Sequence, residues 1–233
     1  MSEFKLQKSN IQVKKLDNQI ESQDTPIPVN SFVWIISGKK GTGKSTIILN
    51  LLNTKNKNGG LKKRFDKIYM VSPTSEIDPK FSKLIKELKT NGRYFNEANN
   101  KNLNDIFEDI KTDDESVNKL VIMDDCACDL PKSTQNSVLN KMVILSRHYK
   151  LSIIITSQKY NKINPLIRSN ADIISFFRTD NKKEFKTLSD DINTDEEKFK
   201  VLYDFSTDKN NFIHINMSTN PITFYKNFDK ILL

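Results

Sequence analysis

Phe32-Val33-Trp34-Ile35-Ile36-Ser37-Gly38-Lys39-Lys40-Gly41-Thr42-Gly43-Lys44-Ser45 is an apolar run that breaks into a glycine loop and closes on Lys-Ser. The run is rich in β-branched and aromatic residues and has the length of a buried strand. Behind the loop, Ile47, Ile48, Leu51 and Leu52 recur at helical spacing. The pattern G-x-x-x-x-G-K-[S/T] is specific when it joins a buried strand to a helix, and both flanks are present. Gly38, Gly41 and Gly43 let the backbone wrap phosphates at the positive end of a helix, with Lys39, Lys40, Thr42 and Thr46 completing the cradle. Lys44 is placed to reach the β- and γ-phosphates, and Ser45 to ligand Mg²⁺ through its hydroxyl. These residues define a P-loop, and the nucleotide expected in it is ATP. A dinucleotide-binding loop is excluded: it wants G-x-G-x-x-G and an acidic end to the second strand, where this chain has Ser72-Pro73-Thr74.

Outward from the loop, four more dense apolar runs read as strands: Ile68–Val71, Leu120–Met123, Ser152–Ser157 and Ile173–Phe177. Helices are expected between them. Asp78-Pro79 supplies a cap and a first-turn proline ahead of Phe81, Leu84, Ile85 and Leu88. Leu103, Ile106, Phe107 and Ile110 mark another helix, and one beginning at Ser133 carries Val138, Met142, Leu145 and Tyr149 on one face. Strands alternating with helices predict an α/β fold, a three-layer sandwich around a mainly parallel sheet. Phe212–Ile215 and Ile222–Tyr225 flank Ser218-Thr219-Asn220-Pro221 and predict a C-terminal β-hairpin. Residues 1–28 read as a polar lead-in with one extended piece at Ile11-Gln12-Val13, leaving 29–233 as the P-loop domain.

The third run ends in Asp124-Asp125. An Asp pair after a strand is ordinarily a turn or a cap, but with a P-loop about eighty residues earlier it becomes the second half of a hydrolytic site. Asp124 is the expected metal partner, with Ser45. Asp125 is the expected polarising group for an attacking water, although one methylene shorter than the glutamate common at this place. Gln158 ends the strand expected beside the P-loop strand, where an amide can bond both γ-phosphate and water. Arg147, Arg168 and Arg178 lie near element ends; Arg147 and then Arg168 are the leading candidates for stabilising transition-state charge, in their own subunit or a neighbour's.

Thirty-seven basic against 29 acidic side chains leave a charge of +8, which favours a polyanionic partner such as nucleic acid. The loop with Lys55, Lys57, Lys62, Lys63 and Arg64 is a candidate DNA-facing segment, or simply a solvated one. Cys126 and Cys128 form an isolated C-x-C that His148 and His214 do not extend to a zinc site. They read as reduced thiols filling a tight loop. With no apolar run of membrane length and no signal peptide, a soluble intracellular protein is expected.

The ordered set Gly38–Ser45, Ser72-Pro73-Thr74, Ile122-Met123-Asp124-Asp125, Arg147-His148, Gln158 and Ile167-Arg168-Ser169-Asn170 resembles the poxvirus-type DNA-packaging ATPases of large DNA viruses and virophages. Those belong to the FtsK–HerA superfamily of DNA pumps, and the resemblance spans roughly residues 30 to 180. It implies a sheet with the five strands, counted in chain order, arranged 5-1-4-3-2. It also implies ring-shaped homo-oligomers that drive double-stranded DNA into a capsid during virion assembly, through capsid or portal-like vertex proteins. The location implied is the virus factory of the host cytoplasm, or the virion. The arginine that acts across subunits in that superfamily is not assigned to one residue by the resemblance. The alternatives left by the motifs alone are a P-loop nucleotide kinase, a DNA-associated ATPase without a packaging role, and a scaffold protein with a relic loop.

Overall fold

A computed structural model of the protein describes residues 25–29, 31–55, 59–76, 78–126 and 137–232. The expected extended piece at 11–13, Lys57, Cys128 and the helix start at Ser133 lie outside the described residues. The elements are β1 (Val33–Ser37), α1 (Lys44–Asn53), β2 (Lys67–Val71), α2 (Ser82–Thr90), β3 (Tyr94–Phe95), α3 (Asn100–Thr112), β4 (Lys119–Met123) and α4 (Val138–Ile144). They continue with β5 (Leu151–Ser157), α5 (Pro165–Ser169), β6 (Ile173–Phe177), α6 (Lys182–Asp191), α7 (Glu196–Ser206), β7 (Phe212–Asn216), β8 (Thr223–Lys226) and β9 (Asp229–Lys230). No helix among the described residues is long and apolar enough to cross a membrane.

One sheet runs β3-β2-β4-β5-β1-β6-β7-β8-β9. Its middle, β6-β1-β5-β4-β2, is the expected 5-1-4-3-2 arrangement, parallel throughout. The expected hairpin is β7-β8, and it is part of the same sheet, because β7 pairs antiparallel with β6 through Ile174↔Ile215. The short β3 extends the other edge by pairing parallel with β2.

Period-2 alternation sends each strand's side chains to two separate cores. Val33, Ile35, Val121, Met123, Ile153 and Ile155 face the layer that includes Leu103 and Ile110 of α3, Met142 of α4, Leu188 of α6 and Phe199 of α7. Trp34, Ile36, Leu120, Ile122 and Ile154 face α1 and α2. Every residue of β1, β4, β5 and β6 is buried, which is why these strands read as dense apolar runs. Cutting one of them, as in Ile154→Ala, costs about 2–5 kcal/mol.

Helix starts follow local chemistry. Asp78 accepts from the Lys80 N–H, and Pro79 opens a 3₁₀ turn that leads into α2. Asn99, Ser137, Asn181 and Asp195 cap α3, α4, α6 and α7 in the same way.

Thr25, Pro26 and Ile27, at the end of the expected lead-in, pack against the domain: the Thr25 carbonyl accepts from Asn216, the Pro26 carbonyl from His214, and Ile27 is buried in the α1/α2 core. The reason is a tertiary one, since His214 lies 188 positions from Pro26. Leu145 is not on a buried helix face, because α4 ends at Ile144 and Leu145 turns outward. Arg64 is not a solvated loop residue. Its guanidinium lies over the Phe32 and Phe65 rings and donates to the Pro28 and Val29 carbonyls.

Candidate nucleotide site

All the parallel strands point the same way, so Ser37, Val71, Met123, Ser157 and Phe177 end at one edge of the sheet. Such an edge is where open α/β sheets place their ligands. The loop from Gly38 to Gly43 leaves β1 here and feeds α1, with Gly43 at the N-cap in the left-handed region (φ 105°). Gly41 has φ 83°, so these two glycines have a conformational reason to be glycines. Gly38 has a steric one: a Cβ there would lie 2.7 Å from Thr42 Oγ1 and 2.8 Å from Phe177 Cβ.

Lys44 is buried at the base of the loop, and its ammonium donates to the carbonyls of Gly38 (2.9 Å) and Lys39 (3.3 Å). The Ser45 hydroxyl stands 3.5 Å from Asp124 Oδ1. Lys39 forms an ion pair with Asp180, just beyond β6, so the outer lip of the loop is tied to the neighbouring strand end. Lys40 and Thr46 are exposed.

The two acids at the end of β4 differ in surroundings. Asp124 is buried and held from three sides: Oδ1 by Thr156 Oγ1 at 2.8 Å and by Ser45, Oδ2 by Ser75 Oγ at 3.4 Å. Burial pushes its carboxyl above the usual carboxylate range; the Asp125 charge pushes the same way, and Thr156, Lys44 and Ser75 pull against it. Asp125 is in the left-handed region at φ 54°, which turns its side chain back over the loop. Its Oδ2 accepts from Gln158 Nε2 at 3.0 Å. Its Oδ1 lies 3.8 Å from Lys44 Nζ, and this atom is buried without a hydrogen-bond partner. A buried carboxylate oxygen left unbonded demands an explanation, and a water at the cradle, donating its O–H to that oxygen, supplies one. The oxygen donors of Ser45 and Asp124 are of the hard type Mg²⁺ takes, and so fit that ion.

Lys44, Ser45, Asp124, Asp125 and Gln158 are therefore brought together as expected. Arg147 and Arg168 are not among them. Arg147 bonds Asp172, whose other oxygen accepts from the N–H of Val33 at the start of β1. That is one strand length, roughly 17 Å, from the loop. Arg168 is engaged by Asp191 (2.7 Å) and the Ile163 carbonyl, in the helical layer on the other face of the sheet from α1. Arg147 precedes β5 and stands at its starting edge, whereas the cradle lies at the finishing edge. Two residues were missed. Ser75 and Thr156 carry no motif, although Thr156 stands out as a hydroxyl two positions before Gln158, directly after three isoleucines.

Fold and site together define a P-loop NTPase. A family model described as "Poxvirus A32 protein" matches residues 25–184, more than half of the chain, and the chain belongs to that family. No curated protein sequence matches it. Among solved structures it is similar to the genome packaging NTPase B204 of Sulfolobus turreted icosahedral virus 2 in complex with ATP-gammaS. That match has 17% identity and a TM-score of 0.61, covering 85% of this chain and 98% of that one. The DNA-packaging ATPase B204 of Sulfolobus turreted icosahedral virus is similar at 20% identity and a TM-score of 0.61, with 84% and 98% covered. At such identities the likeness is one of fold.

Proposed function

We propose that this chain is an ATP-hydrolysing motor that translocates double-stranded viral DNA into a capsid during virion assembly. The observation that carries the hydrolytic half is the position of Asp125, bonded to Gln158 on one oxygen and presenting the other, unbonded, beside Lys44. Asp125 accepts the proton of the attacking water, and Gln158 fixes the orientation of that carboxylate. Lys44 and the loop N–H groups hold the phosphates as the bond to the γ-phosphorus is exchanged. Ser45 and Asp124 would hold Mg²⁺, which when bound neutralises phosphate charge.

The packaging half is supported by membership of the poxvirus A32 family, by the likeness of fold to the B204 packaging enzymes, and by the charge of +8. The reading includes a homo-oligomeric ring working at a capsid or portal-like vertex, in the virus factory or the virion. Since Arg147 lies a strand length from its own cradle, any part it takes in hydrolysis is across a subunit boundary, while Arg168 is tied to Asp191 and the Ile163 carbonyl. Hydrolysis measured with and without duplex DNA, alongside the mass of the ATP-bound assembly, tests the proposal. DNA should stimulate turnover and Lys44→Ala should abolish it; DNA-independent hydrolysis by a monomer would overturn it.

A further inference from the structure

The sheet edge opposite the cradle, where β1, β2, β4 and β5 begin, carries a cleft of about 460 Å³. That lies in the ordinary range for ligand pockets, about 300–1,000 Å³. Three cations line it, Lys63, Arg64 and Lys150, together with Gly59, Gly60 and Ser152, and no carboxylate is among its lining residues. The adjacent Asp66 is occupied by the Asn118 N–H. Among the described residues neither Lys63 nor Lys150 forms an ion pair, whereas Lys67 and Lys119 close by both meet Asp113.

The backbone adds a second observation. Lys63 (φ 60°) and Lys150 (φ 47°) both occupy the left-handed region. That conformation costs an ordinary side chain about 1–2 kcal/mol and is taken readily by glycine or asparagine. Lys209 (φ 53°) takes the same conformation away from the cleft, so the conformation alone does not select an ammonium group; what sets Lys63 and Lys150 apart is that both turns bring their lysine to the lining of one cleft. Arg64 supplies a rigid third cation, stacked on Phe32 and Phe65 and pinned to two carbonyls. Burial lowers its pKa to about 10, so it is still charged at neutral pH.

We propose that this cleft holds a phosphodiester of the nucleic-acid backbone, gripped by Lys63, Lys150 and Arg64. The identity of the polymer rests on the motor reading above; the anion chemistry rests on the cleft alone. Contacts of this type position a duplex without reading its sequence. They also lie a strand length from the cradle, roughly 17 Å, so nucleotide and nucleic acid can be held at once.

The test is anisotropy of a labelled duplex over a series of salt concentrations, comparing the full chain with Lys63→Asn/Lys150→Asn. Asparagine suits both backbone conformations, and a melting temperature equal to or above that of the wild type verifies that the fold is kept. The double variant should lose at least about tenfold in affinity, and its slope of log K against log salt should fall by about 1.8. Its basal ATP hydrolysis should equal that of the wild type. If the wild type binds duplex and the variant matches it in affinity and slope, the cleft proposal fails while the motor reading stands. If the wild type neither binds duplex nor is stimulated by it, both fail. Saturable binding of inorganic phosphate that the double variant abolishes, with duplex affinity unchanged, would overturn the polymer as the ligand.

Discussion

Thr156 Oγ1 donates to Asp124 Oδ1 at 2.8 Å and itself accepts the N–H of Asp125 at 2.9 Å. One hydroxyl on β5 therefore sets the orientation of both acids on β4. Groups that orient a metal-binding carboxylate are typically worth about 10–100-fold in metal affinity or activity. Thr156→Val, which keeps the shape, should lower turnover by that factor and raise the Mg²⁺ concentration for half-maximal rate; Thr156→Ser should restore both. An unchanged Mg²⁺ titration in the valine variant would remove Thr156 from the positioning of Asp124.

Binding and turnover should separate at Asp125. Asp125→Asn keeps the size of the side chain and a hydrogen-bonding partner for Gln158 but removes the base. Steady-state hydrolysis should fall about 10²–10⁴-fold. Affinity for a non-hydrolysable ATP analogue, measured by calorimetry, should change little.

Gly38 has no room for a methyl group, with Thr42 Oγ1 and Phe177 in the way. Gly38→Ala should lower stability by about 1–3 kcal/mol, the usual cost of overpacking. Because the displaced atoms belong to the cradle, nucleotide affinity should fall with it. A thermal melt and an analogue titration on one preparation check both.

His214 is fully buried, with Nδ1 facing the Ser175 hydroxyl at 2.8 Å and Nε2 facing the Pro26 carbonyl at 2.7 Å. Burial lowers its pKa to about 4, against 6.5 for an exposed imidazole. Between those values the unfolded chain binds a proton that the folded chain refuses, so stability rises with pH there. The contribution is complete above about pH 6.5 and lost as pH falls through 4, amounting to about 3 kcal/mol. Urea denaturation at pH 7 and pH 4.5 should show this loss in the wild type, and a smaller one in His214→Gln.

Much of this was legible in the sequence wherever function and burial lie in one short stretch. The five central strands are dense in apolar residues because most of their side chains are buried on both faces, and the loop and Asp124-Asp125 sit directly at their ends. The helices α6 and α7 were not legible. Lys182–Asp191 exposes a charged face and offers only Phe185 and Leu188 as apolar anchors, and Glu196–Ser206 leaves Val201 and Phe205 exposed. Two-residue strands such as β3 carry no periodicity at all. Ser75 and Thr156 became functional candidates only when tertiary pairing brought Met123 beside Ile155 and so Asp124 beside Thr156.

Trp34 is the chain's one tryptophan, fully buried on the strand that runs into the cradle. Its indole N–H donates to Ser175 at 3.0 Å, and its ring meets that of His214 edge-on at 5.5 Å. The protein thus has a single tryptophan emitter, excitable apart from its six tyrosines and wired through Ser175 and His214 to the segment at Pro26. Its emission should report, without any label, the moment when that N-terminal segment lets go of the sheet.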